Sequence, residues 1–299
     1  MSFSLIFAAS LVASVVASQE AEQTDTNPVG TGVVKAQASA AMEPHRAPPG
    51  FELVFADEFN TGEVPDPEKW AYDVYRNSEG WYNNELQYYV AGRPENARIE
   101  NGNLIIEARR DGETVSGEAD YGGQKYTSAR LHTKGKAAWV NGFYEIRAKL
   151  PCGRGTWPAI WMLPEDPDVV WPEGGEIDIM EHVGYEPNVI HHSVHTKAFN
   201  FGKGTQKTTS HTVETACTQF HRYQLLWRPD GLIFAVDDAP RFAFKKMRSG
   251  RSRWPFDEPM HLLLNIAVGG DWGGRKGVDD EALPQRMEID HVRVYQAPE

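Results

Sequence analysis

The stretch "GGEIDIMEHVG", residues 174–184, sets three acids, Glu176, Asp178 and Glu181, among Ile177, Ile179 and Met180. Carboxylates are among the side chains least often fully buried, and three together repel one another, which raises their pKa values. Either they line something open or they do chemistry. Side chains on a strand alternate between its faces, so Glu176 and Asp178 share one face while Ile177 and Ile179 pack into a core on the other. Regular alternation would send Glu181 to the core side, where an unpaired carboxylate is costly. One inserted residue, a β-bulge near Met180, returns Glu181 to the face of the other two. A helix explains less, because it would put Glu176 and Glu181 about 140° apart around the axis.

The flanking sequence has the same strand character. "GFYEIRAKL" (142–150) alternates, with Tyr144, Ile146, Ala148 and Leu150 on one parity. "FHRYQLLWRPDGLIFAVDDAPRFAF" (220–244) predicts strands around a Pro-Asp-Gly turn at 229–231 and a second turn near Asp238–Pro240. "IENGNLIIEAR" carries an Asn-Gly turn signal at 101–102, and "MHLLLNIAV" (260–268) is apolar on both parities, as in a central strand. Long helical periodicity is missing. Many short strands with frequent turns predict an all-β fold, a two-sheet β-sandwich.

The 299 residues carry a net charge of −12. From Phe51 onward 28 basic residues face 38 acidic ones, so the charge belongs to the folded part. Nucleic acid is excluded as a partner, because it demands clustered Lys and Arg, and a polyanionic substrate is disfavoured. Residues 1–18, "MSFSLIFAASLVASVVAS", have the apolar run and small-residue end of a secretory signal, although no Lys or Arg follows Met1. The stretch is short for a membrane anchor. Residues 19–50 lack aromatics and are expected to be a disordered leader or linker. Residues 51–299 show no second linker and predict one domain. The expected location is secreted or periplasmic, with no membrane partner once the signal is removed. Cys152 and Cys217 fit either one disulfide or two buried thiols.

With the bulge, two glutamates share a face with an aspartate between them. Their carboxyls would stand about 5–6 Å apart, close to the separation at which one carboxylate attacks a sugar and the other donates a proton in a retaining glycosidase. Asp178 would keep one group ionised and raise the pKa of the other. An acidic strand facing solvent and a calcium site are the bland alternatives.

"GEIDIME" resembles the active-site segment of glycoside hydrolase family 16. Its acidic spacing, with the extra residue, is similar to the laminarinase, agarase and carrageenase branches. "WYNNELQYY" (81–89), "NGNLIIEAR" (101–109), "YTSARLHT" (126–133), "GTWPAIWMLP" (155–164), "NIAVGGDWGG" (265–274) and "MEIDHVRVY" (287–295) resemble laminarinases, which are endo-β-1,3-glucanases, in order along the chain. The resemblance implies a concanavalin-like jelly roll with an open cleft on its concave face, acting on a polysaccharide as a monomer. Glu176 would be the nucleophile, Glu181 the general acid and then base, and Asp178 an assistant, with no catalytic cofactor.

The supporting residues are weighed against structural roles. Trp157 and Trp161 share a parity with Ala159 and are either sugar platforms beside the acids or core. Trp171, in "VVWPEGGE", is expected on a loop as a substrate wall. Asn84 and Arg130 resemble laminarinase positions that hydrogen-bond glucose hydroxyls, while Arg130 equally suits an ion pair. Asn265 is the polar exception in an apolar strand and needs a partner from substrate or a neighbouring loop. Trp272, in a Gly-rich loop, is expected to reach sugar. In "HHSVH", His195 resembles a family histidine beside the nucleophile, and a zinc site there lacks a third ligand. "MEIDHVRVY" shows a second parity slip at Asp290. By resemblance, Asp290 would help hold a structural calcium together with the carbonyls of Glu58 and Gly102, oxygen donors of the kind calcium takes. Two other outcomes stay open: the same chemistry on another β-glucan or a galactan, and a β-1,3-glucan recognition protein without hydrolysis.

Overall fold

The computed structural model describes residues 46–247 and 250–298. The signal-like segment 1–18 and most of the leader 19–50 lie outside these. In chain order the first strands are β1 (Glu52–Asp57), β2 (Ala71–Tyr72), β3 (Gln87–Tyr89), β4 (Ala97–Glu100), β5 (Asn103–Ala108) and β6 (Tyr126–Ser128). They are followed by β7 (Arg130–His132), β8 (Gly142–Lys149), β9 (Thr156–Pro164), β10 (Glu176–Glu181), β11 (Val189–His195) and β12 (Lys207–Thr212). The last five are β13 (His221–Arg228), β14 (Gly231–Val236), β15 (Ala239–Lys245), β16 (Met260–Val268) and β17 (Gln285–Gln296). Helical structure among the described residues amounts to four short 3₁₀ turns, none of them long and apolar enough to cross a membrane.

Two antiparallel sheets make the expected sandwich. One runs β15-β14-β13-β8-β17-β5-β4, with β1 beside the second half of β17. The other runs β12-β11-β10-β9-β16-β7-β2. β3 and β6 pair in parallel as a small third sheet. Alternation explains the core between the layers: Tyr144, Ile146 and Ala148 of β8 meet Ile177, Ile179 and Met180 of β10 in one buried cluster. Every residue of β16 is buried, as its unbroken apolar run predicts for a strand held between β9 and β7.

The turns follow local chemistry. Asn101 and Gly102 both have positive φ (53° and 74°) and close the β4–β5 hairpin, the geometry that Asn-Gly favours. Pro229-Asp230 joins β13 to β14. The next turn is at Asp237-Asp238, both with positive φ, so Pro240 already belongs to β15 rather than to the turn. The parity slip at Asp290 is a register shift between Ile289 and His291 against β8. At this point β17 exchanges one neighbour, β5, for another, β1.

Cys152, after β8, is bonded to Cys217, before β13, with their Cα atoms 5.8 Å apart and a sequence separation of 65. The bond ties the loop entering β9 to the facing sheet. Replacing both cysteines by serine should lower stability by roughly 2–4 kcal/mol, through loss of a long cross-linked loop. Thermal unfolding checks this; a Tm equal to that of the parent would show that the bond contributes nothing.

Candidate active site

The seven-stranded sheet carries a cleft with a cavity volume of about 750 Å³. Strand register arranges its floor in rows. Glu181, Ala159, Asn265 and Arg130 pair in one row across β10, β9, β16 and β7. Asp178, Trp161, Leu263 and His132 form the next. Pairing of Ile177 with Met162 sets Glu176 level with Leu163. Both ladders of β10 slip between Asp178 and Glu181. This is the bulge, and it leaves Ile179 and Met180 both in the core while Glu176, Asp178 and Glu181 all line the cleft.

A bulge orphans backbone groups, and a buried carbonyl without a partner is costly. Here the Ile179 carbonyl accepts a hydrogen bond from Nδ1 of His192 at 2.7 Å. Burial depresses the His192 imidazole to about 3. It is therefore neutral, and its one N–H points at Ile179. His192 lies on the inner face of β11, stacked on His211 at 5.1 Å. In sequence it looks like ordinary packing.

Each glutamate is held by an indole. Trp171 Nε1 donates to Glu176 Oε2 at 2.9 Å, and Trp157 Nε1 donates to Glu181 Oε1 at 3.0 Å. His195 Nε2 lies 3.3 Å from Asp178 Oδ2 and 3.9 Å from Glu176 Oε1. Burial pushes Glu176 up to about 8, with the charge of Asp178 as the second cause. Burial likewise lifts Glu181 to about 7. Asp178 is held well above the carboxyl range by burial and then by the charge of Glu181.

Arg130 pairs with Asp73 (2.9 Å) and lies between the rings of Trp81 and Trp161, 5.0 and 4.8 Å from their centroids. Asn265 has found protein partners: its Oδ1 accepts from Trp161 Nε1 at 2.7 Å and its Nδ2 donates to Tyr89 Oη at 3.0 Å. Its amide thus fixes the orientation of Trp161. Of the nine tryptophans, Trp70, Trp81, Trp139, Trp227 and Trp254 are buried in the core. The remaining four are Trp157, Trp161, Trp171 and Trp272. Trp157, Trp161 and Trp171 line the cleft. Trp272 instead packs edge-on against Trp157 at 5.2 Å. Glycine permits this closeness, because a Cβ on Gly273 would stand 2.9 Å from that of Trp157. Asn84 is exposed and tied to Asp271 at 2.8 Å, while its neighbours Asn83 and Glu85 line the cleft. Sequence reasoning also missed Asp73, Tyr75, Tyr82 and Phe201, all on the cleft wall.

Glu58, Gly102 and Asp290 come together on the other sheet, where β17 changes neighbours. A calcium ion here would draw on the carbonyls of Glu58 and Gly102 and on the Asp290 carboxylate. Glu58 is held by Arg293 through two 2.8 Å bonds, and Asp290 by Arg147 and His291 at 3.1 and 2.9 Å.

A sandwich whose open cleft presents two glutamates on one strand, each gripped by an indole, defines a polysaccharide-cleaving glycosidase. The chain belongs to glycosyl hydrolases family 16, whose family model matches residues 84–293. It is 52% identical over 255 residues to the beta-glucanase of Rhodothermus marinus, covering 83% of this chain and 86% of that one. Among solved structures it resembles SCLam, a non-specific endo-beta-1,3(4)-glucanase, with a TM-score of 0.82 at 52% identity, over 86% of this chain and 95% of that one. The laminarinase from Rhodothermus marinus superposes with a TM-score of 0.77 at 52% identity, over 83% and 98% of the two chains.

His192→Leu strands the Ile179 carbonyl and should cost roughly 1–3 kcal/mol. Displacing Glu181 should also lower turnover by about 10- to 100-fold. Unfolding curves and initial rates check both effects; a variant that matches the parent in Tm and rate would show that the bulge does not depend on His192.

Proposed function

We propose that the chain is a retaining endo-β-1,3-glucanase, exported and monomeric, that hydrolyses internal bonds of laminarin-like glucans. The observation that carries the chemistry is the pair of indole-held glutamates flanking Asp178 on one strand face. The similarity to proteins described as laminarinase and beta-glucanase supports the substrate. The similarity to a non-specific endo-β-1,3(4)-glucanase favours some cleavage of mixed-linkage glucan as well.

The roles follow from proton placement. Asp178, the carboxyl held well above the ordinary range, keeps its proton. Glu176 and Asp178 are hydrogen-bonded to one another, and a single proton between them leaves one of the two ionised. The second cause of the raised Glu176 pKa, a charge on Asp178, then falls away. Glu176 accepts from the Trp171 indole and faces His195, both of which favour its charged form. Glu176 is the ionised nucleophile. Glu181, pushed up to about 7, holds the proton for the leaving oxygen. Glu176 attacks the anomeric carbon while Glu181 protonates the departing chain. Glu181 then takes a proton from water as that water releases the glycosyl group from Glu176. Nucleophile and acid both come from the chain, so the cycle needs no catalytic cofactor. An open cleft accepts a polymer along its length, which suits attack within the chain.

Glu176→Gln should abolish turnover with the fold intact. Glu181→Gln should lose about 10²–10⁴-fold on polysaccharide and much less on aryl glycosides with good leaving groups. The acid must be protonated, so kcat/KM should fall as pH rises through about 7, and Glu181→Gln should remove that limb. Product sizing on laminarin, mixed-linkage glucan, agarose and carrageenan checks the substrate. Full activity in either variant would remove the mechanism, and cleavage of a galactan alone would remove the substrate assignment.

A further inference from the structure

Four aromatic side chains among the described residues are exposed: Tyr75 (60%), Tyr82 (52%), Trp171 (38%) and Phe201 (54%). All four line the cleft. They sit in two pairs on opposite flanks of the acids. Tyr75 and Tyr82 bond hydroxyl to hydroxyl at 3.0 Å, and Tyr75 meets Trp81, the ring beneath Arg130. Trp171 and Phe201 lie across β10 from them, 5.1 Å apart and tilted by 35°. Exposed apolar rings grouped in a groove mark a place where something docks.

Phe201 has no role in the chemistry derived above. It opens the 3₁₀ turn Phe201–Lys203 after β11. That turn is firmly fastened. Buried Asn200 donates to the carbonyls of Thr196 and Lys197 at 3.0 and 3.3 Å and accepts from the Lys203 amide at 3.2 Å. The ring is thus held out into solvent by a fixed support. Its aromatic neighbours are Trp171, tilted against it, and His195, edge-on at 5.9 Å.

An enzyme that cuts within a chain must bind sugars on both flanks of its acids. On the Arg130 flank, Trp161, Tyr75 and Tyr82 offer flat apolar surface. On the other flank Phe201 and Trp171 are the exposed rings, and Trp171 is committed through its N–H to Glu176. We propose that Phe201 is the stacking platform for a glucopyranose ring on this second flank, and so helps to choose which bond of the glucan is cut. The C–H face of a β-linked glucopyranose matches a flat phenyl ring, and covering it removes apolar area from water. This rests on the glucanase reading.

The test is bond-cleavage mapping of a linear β-1,3-linked glucohexaose, ¹⁸O-labelled at its reducing end, with products weighed by mass spectrometry. Loss of one ring contact should change the frequency of the bond whose cleavage fills that subsite by roughly tenfold against the others. Phe201→Ala should show this shift. Phe201→Leu should also show it, because leucine preserves apolar contact with Trp171 but not the flat face. Phe201→Trp should keep the parent pattern. A uniform fall in rate with the parent pattern would make Phe201 only a support for Trp171 and would overturn the proposal. No change in either rate or pattern would overturn it too. A parent enzyme that leaves the hexaose uncut would instead contradict the glucanase reading, and with it the ligand assigned to Phe201.

Discussion

The extra residue in β10 is the constraint on which the site depends. Without it Glu181 would face the cluster that holds Ile177 and Met180, and burial there without a partner would neutralise it or unfold the strand. With it, Glu181 joins the row of Ala159, Asn265 and Arg130. The cost falls on the backbone, where the ladders to β9 and β11 both slip. His192 offsets that cost from the inner face by satisfying the Ile179 carbonyl. Catalytic geometry on the cleft side is thus maintained by a neutral histidine on the core side, close to Phe234 of the facing sheet.

The acid cluster has its own thermodynamic consequence. An unfolded glutamate carboxyl titrates near 4.5, whereas Glu181 holds its proton to about 7. The folded state therefore binds more protons across that window, and its stability declines as pH rises through it. The indole bonds from Trp157 and Trp171 work in the opposite sense by favouring the charged forms. Such strain between stability and poise is expected where buried acids must exchange protons in each turnover.

Sequence made some of this legible and hid the rest, for physical reasons. Alternation exposed the strands, the Asn-Gly dipeptide its hairpin, and the parity breaks at Met180 and Asp290 both register shifts, since these are local and periodic signals. The four tryptophans outside the core were the four singled out, because they neighbour the acidic strand or sit in Gly-rich loops. Partners were not legible. Nothing local joins Arg130 to Asp73, Asn265 to Tyr89, or His192 to Ile179; each link forms only when distant strands pair. Asn265 illustrates the limit well. Its need for a partner could be read, but the partners, Trp161 and Tyr89, lie 104 and 176 residues away. Nor did any local signal give the partners of Asn84 and Trp272, which are Asp271 and Trp157. Phe201 carried no local signal, because only the fastened 3₁₀ turn after β11 brings it to the cleft.

The central claim is that the bulged strand presents Glu176, rather than either neighbouring acid, to the anomeric carbon. Covalent trapping tests it most directly. The enzyme would be incubated with a 2-deoxy-2-fluoro β-laminaribiosyl fluoride, which forms the glycosyl-enzyme readily and releases it slowly, and the labelled peptide would be sequenced by mass spectrometry. One laminaribiosyl adduct on Glu176 is the predicted result. An adduct on Asp178 or Glu181, or hydrolysis of the probe to the inverted anomer without any adduct, would contradict the account.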